Sequence, residues 1–548
     1  MKTLFRLFFI LFACFIASAY AADEGITPKS DILNVLWLKT QDKLPHEVKI
    51  TSPAVLGKRV DYLLDTLLKH NILFVEKYPE RYALFKSLAA KGLTTKQAHN
   101  MFDLMGQDYF NGFATMNNIA KLNFPENHGA HLNYQLGWYF FAGNFTDKKG
   151  TPYGVLCLLF RRALFPPYIA QQLGITDLEN QIVDVQFGVT LGDKKIHVQG
   201  HDAVIDGTSG LIKYQTSPFL AEVGNDKFQS LNKDTFLPLE IKFKDVEIPL
   251  SVDLVLTGSK PILLQGDDGK APSIYGLGSW YYSIPDIKAH GTISYQGVSR
   301  EVSGKMWMDN QWMAGIIPPG YADKVWIRAL ANIINGFKGN APEGWAWDWT
   351  EVQFDDDTEV TFSAMHSPHS EDLHNLGANP PGKVTRQIAG GKYNPKNGKA
   401  ENITGEVTLT DWVKSPVSGA WYPCGWEVSI PAKDLHFKMT PLVKDQFMYF
   451  GNAAEYKEGA VLVTGTKKGH SIHGVGFGES VGYSGEAYYL GTKTNLLGIE
   501  NSAQNRYLLA NHPPSFWLIV QSVLFFALPL LLLIGGIVYL IKIWLRTR

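Results

Sequence analysis

Apolar and polar residues alternate with a period of two through much of this chain, and this alternation constrains the fold more than any other feature. The clearest run comprises Val183, Val185, Phe187, Val189 and Leu191. The alternation returns at 248–256 and, less regularly, at 287–295. Because successive side chains of a β-strand point to opposite faces, it predicts antiparallel strands with one buried face. Regular strand–helix–strand alternation is absent from the sequence, which argues against a doubly wound parallel sheet.

Turn residues separate the predicted strands. Gln296-Gly297 ends one apolar run and predicts a hairpin, and the acidic stretch 355–358 joins two further runs. Breakers on both sides of 325–334 predict a boundary within 315–343. The stretch 375–399 is rich in Gly, Pro, Asn and Lys, so we expect a long surface loop there.

The segment before residue 120 has a helical period instead. Its apolar positions follow the spacing of an amphipathic helix at Val60, Leu63, Leu64, Leu67 and Leu68. Two interpretations fit this segment, a plain helical cap and a lid or docking surface.

Both ends of the chain carry membrane-targeting features. Residues 1–21 combine Lys2 and Arg6 with an apolar run and a small-residue cleavage site, which predicts a secretory signal peptide. Residues 516–541 form 26 positions without a charge, and about 20 suffice to span a bilayer. The basic tail 542–548 follows at once. These features predict a single-pass protein whose body lies outside the cytoplasm, on the periplasmic side in a bacterium, with a cytoplasmic C-terminus.

The composition argues against nucleic-acid binding and against a zinc site made of four cysteines. The chain carries 51 Lys+Arg against 52 Asp+Glu, a balance that gives no basic footprint for nucleic acid. Its 3 cysteines cannot form a four-cysteine zinc site. The histidines at 366, 369 and 374 are spaced too loosely for a metal signature, so we expect a solvated loop, no metal and no cofactor.

Tryptophans cluster around two aspartates in the second half of the chain. Trp307 and Trp312 flank Asp309, and Asp348 lies among Trp345, Trp347 and Trp349, whose alternate positions place them on one face of a strand. An acid among indoles loses hydration, which raises its pKa. Such an acid could protonate an alkene, and indole faces could stabilise the resulting cation. An aromatic core with an aspartate at a turn explains the same residues, so both interpretations remain open.

Five segments in order resemble the carotenoid 1,2-hydratase / AttH family. They read FPENHGAH at 124–131 followed by Trp138-Tyr139, GKMWMDNQW at 304–312, WDW at 347–349, YPCGW at 422–426 and GVGFGESVGY at 474–483. The resemblance implies two consecutive lipocalin-like antiparallel β-barrel or sandwich domains, and enzymes that act on apolar substrates. It carries a catalytic carboxylate best onto Asp309, with Asp348 second. The implied ligand-binding residues are Trp138, Tyr139, Trp307, Trp312, Trp345, Trp347, Trp349 and Trp426.

The sequence therefore predicts a mainly β protein with an N-terminal helical segment and a C-terminal membrane anchor. Its parts are a signal peptide at 1–21, a helical segment at 22–120, lipocalin-like domains at 121–325 and 326–500, a transmembrane helix at 516–541 and a cytoplasmic tail at 542–548.

The sequence departs from the family pattern at ionisable positions. Neutral residues stand where the family has acids or histidine, namely Gly137, Asn127, Asn310 and Gln311. These replacements favour a non-catalytic carrier of an apolar isoprenoid, polyene or lipid. The retained Asp309 and the tryptophans favour a hydratase-like or cyclase-like enzyme.

The predicted membrane topology can be tested directly. A reporter fused after Arg548 should report a cytoplasmic position, because the positive flank follows the apolar span. The measurement is the activity of paired reporters that function on only one side of the membrane. A signal from the opposite side would refute the orientation.

Overall fold

The computed structural model describes residues 79–94, 113–163, 176–245, 247–271, 278–314, 346–366, 377–450, 454–484, 497–509 and 516–546, with scattered positions between them. It confirms a mainly β chain with two consecutive curled antiparallel sheets and a C-terminal apolar helix. The predicted signal peptide and Trp345 lie outside the described residues.

The first sheet is built from residues within 136–313. In the described part of the chain its strands are β1 (Leu136–Asp147), β2 (Pro152–Ala163), β3 (Gln181–Leu191), β4 (Ile196–Asp206), β5 (Ile212–Gln215), β6 (Leu220–Val223), β7 (Asp226–Ser230), β8 (Leu239–Asp245), β9 (Leu250–Gly258), β10 (Leu263–Leu264), β11 (Lys270–Ala271), β12 (Ser279–Tyr295) and β13 (Val298–Met313). Their order is β4-β3-β2-β1-β13-β12-β9-β8-β7-β6-β5, with β10 and β11 beside β12.

The second sheet follows within 346–481. Its described strands are β14 (Ala346–Phe354), β15 (Glu359–His366), β16 (Val384–Gln387), β17 (Gly390–Asn394), β18 (Glu401–Asn402), β19 (Glu406–Lys414), β20 (Trp421–Ile430), β21 (Leu435–Pro441), β22 (Phe447–Phe450), β23 (Ala454–Lys467) and β24 (His470–Val481). Their order is β16-β19-β20-β21-β23-β24-β14-β15-β17-β18, with β22 beside β23.

The alternating runs form strands where the sequence predicts them. Val183, Val185 and Phe187 lie on β3 and point into the core that the first sheet encloses. The hairpin between β12 and β13 turns at Gln296 and Gly297, which have φ values of 50° and 76°. Glycine adopts this left-handed conformation without strain.

The prediction of one long loop at 375–399 is wrong. The strands β16 and β17 lie within this stretch. Strand β16 pairs with β19 at one end of the second sheet, and its side chains alternate between half-buried and exposed. A terminal strand can remain polar because one of its neighbours is solvent, so the period-two signal is weak there.

The two sheets pack against each other through their outer faces, and we call this layer the seam. Strands β1 and β2 of the first sheet meet β23 and β24 of the second. The buried apolar side chains of the seam are Phe140, Ala142, Leu156, Leu158, Leu263, Trp307, Trp349, Met448, Tyr456, Ala460 and Phe477. Polar bonds cross the same layer, for example Asn144 Nδ2 to the carbonyl of Gly476 at 3.0 Å.

Helices accompany the sheets at both ends of the chain. The α-helices of the described residues are α1 (Pro79–Lys91), α2 (Ala503–Leu509) and α3 (Phe516–Arg546), and short 3-10 turns lie at Met116–Asn118, Glu126–His128, Gly207–Ser209 and Pro431–Lys433. The buried Arg81 of α1 donates to the carbonyls of Leu508 and Leu509 in α2. Helix α1 thus contacts α2, which precedes α3 in the sequence.

The C-terminal helix has the properties of a membrane span. Within α3, the most apolar 18-residue window of Ile519–Arg546 has a mean hydropathy of 2.7, and most apolar side chains of the helix are exposed. Such a surface is stable in lipid and costly in water.

The close approach of the two sheets should make Gly154 hard to replace. A Cβ added at Gly154 of β2 would lie 2.5 Å from the Cβ of Ala460 in β23. We therefore expect Gly154→Ala to lower the free energy of unfolding by about 1–3 kcal/mol, because the sheets must move apart.

The matched control is Gly258→Ala in β9, where an added Cβ meets no atom within 4 Å. Thermal unfolding of the full chain in detergent measures both variants. Equal melting temperatures for Gly154→Ala and Gly258→Ala would contradict the close packing of the seam.

Candidate functional site

Asp309 lies in the seam because of its position on β13. On this strand Met306, Met308 and Trp312 point into the core of the first sheet. Trp307 and Asp309 alternate with them and therefore point outward, toward the second sheet. Asp309 is 4% exposed.

Three side chains donate hydrogen bonds to the Asp309 carboxylate. Oδ1 accepts from Ser283 Oγ at 2.5 Å and from Trp307 Nε1 at 2.7 Å. Oδ2 accepts from the Tyr281 hydroxyl at 2.5 Å. Tyr281 in turn accepts from Trp349 Nε1 of the second sheet at 3.1 Å. The carboxylate is thus held in a network that spans both sheets.

Burial raises the pKa of Asp309 to about 6. The three donors to its oxygens lower the pKa and offset part of this effect, because they stabilise the charged form. A carboxyl group with this pKa holds a proton in part of the molecules near neutral pH, so it can act as either an acid or a base.

The second sheet places further carboxyl groups in the seam. Glu458 on β23 and Glu479 on β24 are direct register partners, and Glu479 is also the partner of Trp349 on β14. Glu458 is 2% exposed. Glu479 Oε2 accepts from Trp347 Nε1 at 2.8 Å. Burial and register therefore bring two carboxyl groups side by side.

Electrostatic repulsion adds to the effect of burial on the pKa values of Glu458 and Glu479. The pKa of Glu479 is raised to about 7, mainly by burial. The hydrogen bond from Trp347 lowers this pKa, whereas the negative charges of Asp309 and Asp348 raise it. Burial, followed by the charges of Glu479 and Asp309, raises the pKa of Glu458 well above its ordinary value. The charge of Asp309 thus acts on both glutamates of this pair.

Several polar atoms of the seam have no hydrogen-bond partner within the described part of the structure. They are Oε1 of Glu351, Oε1 of Gln353, Oε1 of Glu458 and Nε2 of Gln186. All four side chains are at least nine-tenths buried. Buried polar groups are almost always hydrogen-bonded in native proteins, so these atoms indicate unused binding capacity.

Asp348 has different surroundings from Asp309. It faces the inside of the second sheet, where Arg386 Nη1 forms an ion pair with Oδ2. Oδ1 accepts from Ser480 Oγ at 2.9 Å and Oδ2 from the Tyr483 hydroxyl at 2.8 Å. Because both oxygens of Asp348 are already engaged inside the second sheet, away from the seam, these contacts fit a structural role.

The aromatic residues proposed as one binding site lie in three places. Trp307, Trp347 and Trp349 are in the seam, and Trp138 stacks on Phe160 at its margin with ring centroids 5.7 Å apart. The others lie inside the sheets, and they are Tyr139 and Trp312 in the first sheet and Trp426 in the second.

The FPENHGAH segment forms a separate hollow at one end of the first sheet. The hollow has a volume of about 580 Å³, and its lining includes Asn127, His131 and Tyr134. His131 stacks on Trp312 with ring centroids 3.8 Å apart. Burial lowers the pKa of His131 to about 3, so the ring is neutral at physiological pH.

No group of three or more His, Cys, Asp or Glu side chains is placed to hold a metal ion in the described ranges. Cys157 and Cys424 are both buried and free.

Sequence reasoning missed the partners of Asp309. Tyr281 and Ser283 lie on β12, which precedes β13 in the sequence and pairs with it. Their spacing of two residues, which places both side chains on one face of β12, could have indicated them as partners. Glu458 and Glu351 carried no motif, and only the strand register shows that they reach the seam.

Comparisons with known proteins identify relatives. The model of the AttH-like family matches residues 115–331 and 337–483. Curated protein sequences give no match. An AttH protein from Nitrosomonas europaea has a structure with a TM-score of 0.49 and 21% identity, covering 66% of this chain and 97% of its own. Kievitone hydratase from Nectria haematococca has a TM-score of 0.47 and 16% identity, covering 67% of this chain and 95% of its own.

The raised pKa of Asp309 should appear in the pH dependence of stability. The pKa of Asp309 is about 6 in the folded protein, whereas its ordinary value is 3.8. The stabilisation of the folded state that follows from this difference is fully present below about pH 4 and is lost as the pH rises through 6. Between about pH 4 and pH 7 the wild type should therefore lose roughly 3 kcal/mol relative to Asp309→Asn.

The measurement is the melting temperature of both proteins in nonionic detergent across this pH range. The difference between them should change steadily in favour of Asp309→Asn as pH rises. Parallel curves would show that the Asp309 pKa is unperturbed.

Proposed function

The chain belongs to the AttH-like family, and we propose that it is a membrane-anchored enzyme that binds an apolar isoprenoid or polyene in the seam and protonates a double bond. Asp309 is the proton source in this proposal. Hydration or cyclisation then follows from the cation that forms.

The observation that carries the proposal is a buried carboxyl group, held by three donors, in an aromatic layer. Protonation of an alkene requires an acid whose pKa lies near the working pH, and burial raises the pKa of Asp309 to about 6. The developing cation requires electron-rich neighbours, and the faces of Trp307 and Trp349 supply them. Apolar neighbours such as Phe140 and Leu158 favour an apolar ligand.

Tyr281 is the group that we assign to hand the proton to the ligand. It is half-buried, whereas Asp309 is buried and both of its oxygens are already engaged. When Asp309 is protonated, its Oδ2–H donates to the Tyr281 oxygen. The phenolic proton can then pass to the alkene carbon while Tyr281 takes the Asp309 proton, so no net charge is left on the phenol.

A non-catalytic carrier is the alternative, and its support comes from the neutral replacements in the motifs. Asn310 belongs to the inside of the first sheet, where its Nδ2 donates to the Tyr282 hydroxyl at 3.1 Å. Asn127 lines the hollow at the sheet end. Gly137 packs beside Arg161 and Trp312. These three changes lie away from the seam. The fourth, Gln311, lies on the same face of β13 as Asp309, where its Nε2 donates to Ser279 Oγ at 2.6 Å. Since Asp309 itself is retained, the placement of three of the four changes favours the enzyme.

The membrane anchor suits an apolar substrate. We propose that the body lies outside the cytoplasm and takes its substrate from the bilayer that α3 (Phe516–Arg546) enters.

Proton transfer to carbon can be tested with deuterium. The full chain in detergent is incubated in D₂O with squalene and with geranylgeraniol, and mass spectrometry measures deuterium on carbon in recovered alkene and in product. Asp309→Asn and Tyr281→Phe should each lower incorporation by about 10²–10⁴-fold, since general acid catalysis typically contributes that factor.

Asp226→Asn is the matched control, because Asp226 is a buried aspartate of the first sheet that accepts from the backbone of Lys244, outside the seam. Quenching of tryptophan fluorescence by retinol reports binding independently of turnover. If the wild type binds retinol but incorporates no deuterium, the result favours the carrier. If the wild type shows neither binding nor deuterium incorporation, the proposed function is refuted.

A further inference from the structure

Lys457 on β23 is a buried amine that has no role in the seam. It is 1% exposed, and its Nζ has no hydrogen-bond partner in the described part of the chain. Lysine is almost never fully buried unless it is paired, and buried polar groups are almost always hydrogen-bonded. An unpaired buried amine is therefore unfavourable for stability alone, which suggests that it serves a ligand.

Strand alternation turns Lys457 away from the seam. Its neighbour Tyr456 is part of the seam, so Lys457 faces the inside of the second sheet. There its Nζ lies 5.1 Å from the centroid of the Trp426 ring. Trp426 belongs to the apolar core of this sheet, together with Met439 and Phe447. The walls around the amine therefore suit the apolar part of a ligand.

The strand register places Lys457 in one row with Asp348. Lys457 pairs with Ser480 of β24, and Ser480 pairs with Asp348 of β14. Since neighbouring strands are about 4.8 Å apart, the backbones of Lys457 and Asp348 are about 10 Å apart. The Asp348 carboxylate is already bound by Arg386, Ser480 and Tyr483, so the amine is left without a counterion of its own.

A second cationic side chain inside this sheet also has unused binding capacity. Arg386 bonds to Asp348 through Nη1, whereas its Nη2 has no partner among the residues that the structure describes. The Arg386 side chain is 9% exposed. Two buried nitrogen groups without acceptors inside one sheet indicate a ligand that carries an oxygen atom.

The titratable groups around Lys457 come from both sheets. Burial has the largest influence on the amine and lowers its pKa to about 8. The groups that oppose this effect are Cys424 of β20, Asp445 before β22, Asp348 of β14 and Asp411 of β19. His197 of the first sheet is neutral, since burial and the charge of Lys457 lower its pKa to about 3.

These surroundings favour a neutral ligand over an anion. Three of the four groups that oppose burial are aspartates, and their negative charge repels an anionic ligand. Burial leaves part of the Lys457 population unprotonated, and an unprotonated lysine in an apolar environment is a nucleophile toward carbonyl carbons.

We propose that Lys457 captures an apolar aldehyde as an imine inside the second sheet. The aldehyde carbon reacts with Nζ, and its hydrocarbon part packs against the core that contains Trp426. This site is separate from the seam, and it does not depend on proton donation by Asp309.

Strand β16 offers the ligand a way into the second sheet. It is a terminal strand in the described part of this sheet, and it pairs with β19 through four residue pairs. Arg386 of this strand bonds across the opening to Asp348 and Tyr483. Displacement of one short strand therefore opens the inside of the sheet while the two sheets stay packed together.

The reaction balances with the aldehyde as the only co-reactant. The lone pair of Nζ forms a C–N bond with the carbonyl carbon, the C=O π bond breaks, and one N–H proton moves to the oxygen. The C–O bond of this carbinolamine then breaks, and the hydroxyl leaves with the second N–H proton as water. A C=N bond remains, and nothing is oxidised or reduced.

Reductive trapping tests the assignment. The full chain in detergent is incubated with decanal at about pH 7.4, the imine is reduced with cyanoborohydride, and mass spectrometry of the digest locates decylated lysines. An amine with a pKa of about 8 is then about one-fifth unprotonated, against about 0.1% for an ordinary lysine. Lys457 should therefore be labelled about 100-fold faster than exposed lysines.

Lys414 is the matched control within the same sheet. It is exposed, and its Nζ lies 5.5 Å from the centroid of the Trp421 ring, so it combines an indole contact with access to water. Equal labelling of Lys457 and Lys414 by decanal would overturn the assignment. Glyceraldehyde, a polar aldehyde, should show no preference for Lys457, and an equal preference for it would overturn the apolar class of the ligand.

A measurement without an aldehyde tests whether Lys457 is only structural. Methionine has a similar length and no charge, so Lys457→Met should leave the melting temperature of the full chain in detergent unchanged or raise it. A clear fall in the melting temperature would show that the amine stabilises the second sheet, and it would overturn the inference that a ligand explains its burial.

Discussion

The packing of two sheets through their outer faces is the constraint on which the rest of this structure depends. Each sheet already encloses a core of its own, so the seam is an additional buried layer and not the fold's main source of stability. That layer combines indole and phenyl rings with carboxyl groups from both sheets. A single sheet would leave Asp309 or Glu479 exposed to water, where neither would have a raised pKa.

Burying several carboxyl groups in one layer is energetically unfavourable, and the structure limits that cost in two ways. Donors such as Ser283 and Trp307 stabilise the charge on Asp309. Burial raises the pKa of Glu351 and Glu458 well above the ordinary value, which favours their neutral forms. The pKa values thereby lie from about 6 upward, so protons are available within the layer near neutral pH. A layer selected only for stability would contain apolar residues of similar volume.

The sequence predicts the strands well and the site only in part. Alternation identifies β3 and the hairpin after β12, because one face of each strand is buried and the signal is local. Asp309 and Trp349 are found because tryptophans surround them in the sequence. Glu458 cannot be found in this way, since its importance comes from facing Glu479 across a register that depends on distant strands. Trp312 flanks Asp309 in the sequence but points into the core of the first sheet, because positions an odd number apart on a strand face opposite sides.

The central claim is that the ligand occupies the seam, and photoaffinity labelling tests it most directly. The full chain in detergent is irradiated with a diazirine-bearing farnesol, and the labelled peptides are mapped by mass spectrometry. The account predicts labels on facing strands of both sheets, within 136–147, 279–313 and 346–354, and loss of labelling when excess geranylgeraniol competes. Labels confined to 516–546, or to the hollow that contains Asn127 and His131, would contradict it.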